Sequence, residues 1–377
     1  MGRRMFINVN RLCALVLLGT IAYNEYFAYY FSYSSWASIP SETCSLLFYA
    51  DPQLQGYNGE PPGLLGTIQR WDSDRYLKSV YSWMSYKYPH STPVFLGDLL
   101  DEGSEATDDE YKDYAKRFFN VFPPLSTAER IFTPGDNDVG GEGGDLITLK
   151  KLDRFRHNFG ANKLFYSPCS FLDVFPVSRL TEHGSLNITS KIEHLTRKKT
   201  VVVISHVPVL PLNGRFAERV MTDLNPDIIF SAHDHRGSLF TGSRKSLNHE
   251  KKMEFFSAKN DITPVKIQTR HMNLDGTVEM AENMSEIVVP TCSYRMGVQE
   301  MGVGLAVFSK SGDLVYSNLW VPARFPLLYL YLASVLSIFI LILVSKCLTF
   351  RKTRRRPPPP GINYGNYELL KLATHEI

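Results

Sequence analysis

The sequence predicts an α/β fold, with a buried sheet, a second sheet closing the domain and membrane-crossing helices at both ends. Three observations carry this. Short runs rich in β-branched and aromatic residues alternate with longer polar stretches. Five of those runs end in an acidic or imidazole side chain. An uncharged apolar segment long enough to cross a bilayer core of ~30 Å lies near the C-terminus.

The elements follow in chain order. Arg3 and Arg4 precede an apolar run at 12–23, which Asn24 and Glu25 interrupt before an aromatic run continues to Trp36. We expect residues 1–11 in the cytosol and residues 12–36 as an uncleaved signal anchor, because the run passes Glu25 and no small-x-small site ends it. A cleaved signal peptide is the alternative. Under either reading the basic start stays cytosolic and residues 37–324 form an exported domain.

Within that domain SLLFYA (45–50), TPVFLG (92–97), RIFTPG (130–135), TVVVIS (200–205) and DIIFSA (227–232) read as buried strands. Helices are expected at 67–86, 106–122 and 146–159. After His235 the pattern changes: SEIVVPT (285–291), GLAVFSK (304–310) and DLVYSNLW (313–320) read as strands of the second sheet, with a turn at Ser311 and Gly312. Residues 239–276 resemble an insertion or long loop. Residues 325–345 carry no charge and the basic run at 351–356 follows, so they read as a second span with residues 346–377 as a cytosolic basic, proline-rich tail.

The ends hold ten of the 41 basic residues and three of the 38 acidic ones, so the body is slightly acidic. It shows no clustered basic face, which argues against nucleic-acid binding. Of the five cysteines, Cys44, Cys169 and Cys292 lie in the body, allowing one disulfide with one thiol left over, or three buried free thiols. No CxxC pair points to a zinc knuckle. Asn187 and Asn283 begin glycosylation sequons.

Chemistry sits at the strand ends. They deliver Asp51 (with Gln53 two residues on), Asp98, Asp136, His206, and His233 with His235. Ligands collect beyond the carboxyl ends of strands in an open α/β sheet, so these residues converge on one edge. Carboxylates and imidazoles suit manganese, iron or zinc. Two adjacent dications can grip a phosphate ester and acidify a water, and Asp98 is the carboxylate to bridge them.

The series Asp51-Pro52-Gln53, GDLLDEG (97–103), PGDND (134–138), SHVPVLP (205–211) and SAHDHRG (231–237) resembles the calcineurin-like metallophosphoesterase superfamily. With the flanking spans, it is similar to the metallophosphoesterase 1 branch, which includes post-GPI-attachment-to-proteins factor 5. The resemblance implies a two-sheet αββα sandwich. It implies one metal on Asp51, Asp98 and His235, and a second on Asp98, Asp136, His206 and His233. It further implies two divalent ions, with manganese favoured over zinc or iron. The implied activity is removal of ethanolamine phosphate from the GPI-anchor glycan, with the site lumenal at ER exit sites or the Golgi, aiding transport of GPI-anchored proteins. The matching catalytic positions are Asp98, Asn137 and Asp138. Two departures stand out. Gln53 replaces an expected His. Asp136-Asn137 replaces Asn-His, and the Asn137 amide cannot supply a proton near neutral pH. Asp101 and Asp138 are candidates to orient His ligands, and Arg236 and Arg295 to contact a phosphate. A general secretory phosphoesterase, or a degenerate receptor or adaptor, are the alternatives.

Overall fold

The computed structural model describes residues 9–124, 129–161, 163–181, 199–212, 214–244, 252–258, 264–272 and 278–354. The Asn187 sequon, Arg3, Arg4 and the tail from residue 355 lie outside them. The chain divides into two compact units, Met1–Asn24 with Leu327–Ile377, and Glu25–Pro326.

The first unit holds α1 (Val9–Ala22) and most of the C-terminal helix, Arg324–Arg354. The runs Val9–Ser35 and Arg324–Leu348 are long and apolar enough to cross a membrane, close to the expected bounds of 12–36 and 325–345. Pro326 falls in the first turn of its helix, where a missing N–H costs nothing. The hydroxyls of Thr20 and Ser334 bond at 2.6 Å, and Asn24 Nδ2 donates to the Leu327 carbonyl at 2.8 Å, so these polar groups find partners within the protein.

In the second unit, a π-helical turn at Tyr23–Phe27 leads into α2 (Ala28–Ser35). Helices α3 (Leu64–Lys87), α4 (Asp108–Val121), α5 (Asp136–Val139) and α6 (Leu149–Phe159) follow between strands. The strands are β1 (Cys44–Tyr49), β2 (Thr92–Phe95), β3 (Ile131–Phe132), β4 (Tyr166–Cys169), β5 (Leu172–Pro176), β6 (Thr200–Ile204) and β7 (Ile228–Ser231). Then come β8 (Ser238–Ser243), β9 (Lys252–Phe255), β10 (Val265–Gln268), β11 (Arg270–Met272), β12 (Val278–Met280), β13 (Asn283–Val288), β14 (Gly302–Phe308) and β15 (Asp313–Trp320).

Among the described residues these build a six-stranded sheet, β10-β15-β14-β1-β2-β3, a seven-stranded sheet, β4-β5-β6-β7-β13-β8-β9, and a β11-β12 ribbon. Side chains alternate along β1. Leu46 and Phe48 enter a core shared with Val202, Ile204 and Phe230 of the other sheet, while Leu47 and Tyr49 join a core with Leu77 of α3 and Phe118 of α4. Phe48 and Phe230 stack across the sheets at 4.2 Å. On the far face of the second sheet, Val201 and Val203 pack with Val220 and Leu224 of the helical turns after residue 214. The layering is therefore helix, sheet, sheet, helix. Cys44 of β1 and Cys169 of the edge strand β4 form a disulfide that joins the two sheets, and Cys292 is buried and free. Closing a loop across 125 residues stabilises by about 5 kcal/mol in the chain-entropy account.

Two expectations need correcting. The strands after His235 do not make a sheet of their own. β14 and β15 extend the sheet begun by β1, and β13 pairs parallel with β7 in the other. Residues 239–276 are not a simple loop, because most of β8 and all of β9 and β10 lie there, β8 pairing with β13 and β9 and β10 edging the two sheets. Each strand finds its partner by cross-sheet burial, which sequence order does not reveal.

Candidate metal centre

The ligand-type residues converge, but from two sheets rather than one edge. Asp51 and Asp98 leave β1 and β2, and Asp136 opens α5 just after β3. His206 follows β6, and His233 and His235 follow β7 in the facing sheet. Each chain turns sharply where its strand stops. Asp51, Gln53, Asp98, His233 and His235 all have positive φ, at 46°, 40°, 49°, 71° and 60°. Left-handed backbone costs a non-glycine residue about 1–2 kcal/mol, so five such residues in one pocket mark stored strain.

His206 stands at the middle. Its Nδ1 donates to the Leu96 carbonyl at 2.8 Å, which turns Nε2 toward the carboxylates. That Nε2 lies 2.9 Å from Asp136 Oδ1 and 3.4 Å from Asp98 Oδ1. His233 Nδ1 lies 3.2 Å from the same Asp136 oxygen. Two groups of ligand atoms, Asp51-Asp98-His206 and Asp136-His206-His233, each lie within 4.8 Å. His235 stands further out, with Nε2 3.9 Å from Asp51 Oδ1.

Asp98 is ringed by amides. Gln53 Nε2 donates to Oδ2 at 2.9 Å, Asn137 N to Oδ1 at 3.0 Å and Asn137 Nδ2 to Oδ2 at 3.1 Å. Gln53 thus presents a donor to Asp98, and Asn137 fixes the same carboxylate. Asp138 does not orient a histidine. It is fully buried and accepts from the backbone N–H of Leu99, Leu100 and Gly135, tying the Asp98 loop to the Asp136 turn. The side chain faces the backbone because α5 begins at Asp136 and points its third residue inward. Asp101 likewise sits among Glu60, Glu102 and Arg295, and burial with the two acids pushes it up to about 6. Arg295 Nη2 pairs with Glu60 at 2.9 Å, whereas Arg236 is exposed.

The electrostatics call for cations. Burial raises Asp51 to about 7 against the pull of His206, and burial also raises Asp98. Burial would raise Asp136 too, but hydrogen bonds with His206 and His233 hold it well below the carboxylate range. Burial would lower His206, yet the Asp98 charge and the Asp136 hydrogen bond push it up to about 10. His235 is lowered by burial and then by His233, which favours the neutral imidazole, and its Nε2 lies 3.4 Å from Gln53 Nε2. Asp51 Oδ2 is fully buried without a hydrogen-bond partner. A buried carboxylate oxygen of that kind fits a cation.

Three contributors escaped the sequence reading. Glu286 of β13, fully buried, accepts from Val209 N, Leu210 N and Ser231 Oγ, holding the turn after His206 against the end of β7. A lone acid inside the apolar run SEIVVP is the signal that marks it. Thr291 Oγ1 donates to the Asp51 carbonyl at 2.9 Å, with no signal in sequence. Glu142 stands with Asp136 on the wall of a cavity of about 390 Å³ that is also lined by Asn137, Glu105 and Asp145.

A calcineurin-like phosphoesterase family model matches residues 46–237. "Metallophosphoesterase 1 homolog" from Caenorhabditis elegans is 22% identical over 391 residues, covering 98% of each chain. "Cell division control protein 1" from Saccharomyces cerevisiae is 22% identical over 76% of this chain, which spans 60% of that protein's length. The crystal structure of a 5'-nucleotidase precursor from Thermus thermophilus aligns with 80% of this chain and 60% of its own, with a TM-score of 0.38 at 13% identity.

Proposed function

Because the chain belongs to the calcineurin-like phosphoesterase family, we propose that it is a membrane-anchored phosphodiesterase removing ethanolamine phosphate from the GPI-anchor glycan. The family and the two Asp/His groups make it a metal-dependent phosphoesterase hydrolase in the coarser sense. The observation that carries the reading is the sharing of His206 between those groups, with Asp98 beside it.

In this reading Asp51, Asp98 and His235 hold one cation, and Asp98, Asp136, His206 and His233 hold the other, with manganese favoured. Two such cations, when bound, polarise a phosphoryl oxygen and acidify a water. The protein's own work is positional. Gln53 and Asn137 fix both oxygens of Asp98, Leu96 fixes the His206 tautomer, and Asp138 clamps the two loops together. Water attacks phosphorus, the P–O ester bond breaks, and the leaving oxygen takes its proton from solvent, since Asn137 has none to give. The cavity walled by Glu105, Glu142 and Asp145 is negative, complementary to an ammonium group. The Cys44–Cys169 disulfide favours an oxidising compartment, so the domain would face the lumen with both termini cytosolic.

The test uses the full chain in detergent with manganese and a GPI-glycan fragment. Phosphoethanolamine is released, and Asp98→Ala abolishes both release and bound metal. Turnover of soluble aryl or nucleotide esters without release from the glycan would replace the reading with a general phosphoesterase. A protein that binds no metal and gains no stability from manganese would be a receptor or adaptor instead.

A further inference from the structure

We propose that the first half of α3 lies in the lipid interface, as a third membrane contact beside the two apolar helices. This rests on the chain being membrane-anchored. It does not depend on what the metal centre hydrolyses.

The solvent side of α3 has two parts. Leu64, Leu65, Ile68 and Trp71 are 76%, 58%, 49% and 61% exposed. Their spacing places them on one side of the helix, without an intervening charge. Past Trp71 the same side carries Arg75, whose guanidinium lies 5.0 Å from the Trp71 ring, and then exposed Lys78. An exposed apolar helix end of this kind marks a contact surface, and the cations that follow it on the same side suit the headgroup level of a membrane.

The body itself says what covers this face. Helix α2 and the turn before it run alongside α3 in the same direction. Glu25 pairs with Arg75, Tyr29 packs on Tyr76 at 6.3 Å, and Tyr33 lies 6.1 Å from Tyr86. Followed backward from Glu25 toward its apolar helix, the chain therefore leaves on the Trp71 side of α3, not the Tyr86 side. The second exit lies at the same level. Arg324, which opens the C-terminal helix and is 1% exposed, pairs with Asp72 and lies 3.7 Å from Glu25. Both exits are thus pinned to one turn of α3, Asp72 to Arg75, and the apolar half of α3 lies beyond them. Tyr26, Tyr33, Trp83 and Tyr86 gather on the other side of that level, Tyr26 and Tyr33 lying 5.6 and 5.4 Å from Trp83. A bilayer crossed at both exits meets Leu64, Leu65, Ile68 and Trp71 at the acyl boundary, with Arg75 and Lys78 at the phosphates.

The experiment reads Trp71 in the full chain reconstituted in phosphatidylcholine nanodiscs. The emission lost on Trp71→Phe, a change small enough to keep the fold, isolates its signal from Trp36, Trp83 and Trp320. We expect that signal to be largely quenched when the lipid acyl chains are brominated and to be unaffected by aqueous iodide. Quenching by iodide and not by bromolipid would put this face in water and overturn the proposal. Protection from both quenchers would put protein over it and overturn the proposal as well. Neither outcome depends on catalysis, so this proposal and the phosphodiesterase reading fail separately.

Discussion

A methyl group on Gly135 would stand 2.1 Å from Asp98 Oδ1 and 2.3 Å from the Asp98 amide nitrogen. The two loops that carry Asp98 and Asp136 therefore meet only because residue 135 has no side chain. Gly97 does the same on the other side. Its φ is +90°, and a Cβ there would lie 2.5 Å from His206 Nδ1. Both glycines occur in the ligand motifs, and their job is close approach of backbone to ligand.

Gly135→Ala should accordingly displace Asp98 from the metal groups. Overpacking of this kind costs about 1–3 kcal/mol. Thermal unfolding and metal analysis of the purified chain check it, and wild-type metal content with unchanged stability would contradict the close-approach account.

Asp138→Asn tests the clamp. An Asn offers one acceptor oxygen where the carboxylate has two, so part of the set Leu99, Leu100 and Gly135 N–H loses its partner. A buried donor left unpaired costs about 1–3 kcal/mol. Metal affinity should fall by about 10–100-fold, as when other groups that hold ligands are removed. Calorimetric titration with manganese reads the change.

Asn137→His restores a proton donor beside Asp98 at the price of the Asn137 Nδ2 bond to that carboxylate. If proton supply to the leaving group limits turnover, kcat rises, by up to about 10²-fold. The variant should lose activity as pH rises through the new imidazole's pKa, near ~6.5 when unperturbed, since only its acid form donates. A pH profile identical to wild type would show that leaving-group protonation is not limiting.

Asp72 gives a pH-dependent stability. Burial would raise its carboxyl, but donation from Arg324 and Tyr294 outweighs this and holds it below its ordinary value. The native pKa therefore lies under the unfolded one, near ~3.9. The contribution is complete above that pH and is lost as pH falls through the lower native value. Asp72→Asn leaves the buried Arg324 with only the longer Glu25 contact at 3.7 Å and should cost less than the ~3–5 kcal/mol of a fully unpaired buried charge. The melting-temperature gap between wild type and variant should be flat above about pH 4 and narrow below it. A gap that widens in acid would contradict the assignment.

The legible part of this protein is local. SLLFYA, TPVFLG, TVVVIS and DIIFSA are short, apolar and β-branched or aromatic, and each became a strand at the expected place. The ligand-type residues were visible as a joint pattern, because five such runs all end in an acid or imidazole, whereas any one of them alone reads as a turn residue. The expected helices at 67–86, 106–122 and 146–159 appear as α3, α4 and α6 with shifted ends. β4 and β5 were not legible, because SPCSFLDVFP mixes proline, serine and an acid that their partners satisfy. Nor was the Asp138 contact, where a carboxylate expected on a histidine meets backbone N–H instead.

Sequence alone settled what each segment can be, because periodicity, turn residues and uncharged length act over a few residues. It therefore yielded the strands that precede the ligand-type residues, the types of those residues and the two apolar helices. The tertiary structure alone decided which strands share a sheet, that the ligand-type residues arrive from both sheets, that His206 belongs to both Asp/His groups, and that Cys44 bridges to Cys169. Those outcomes depend on contacts between residues far apart in the chain, where burial and close approach choose the partner and no local pattern records the choice.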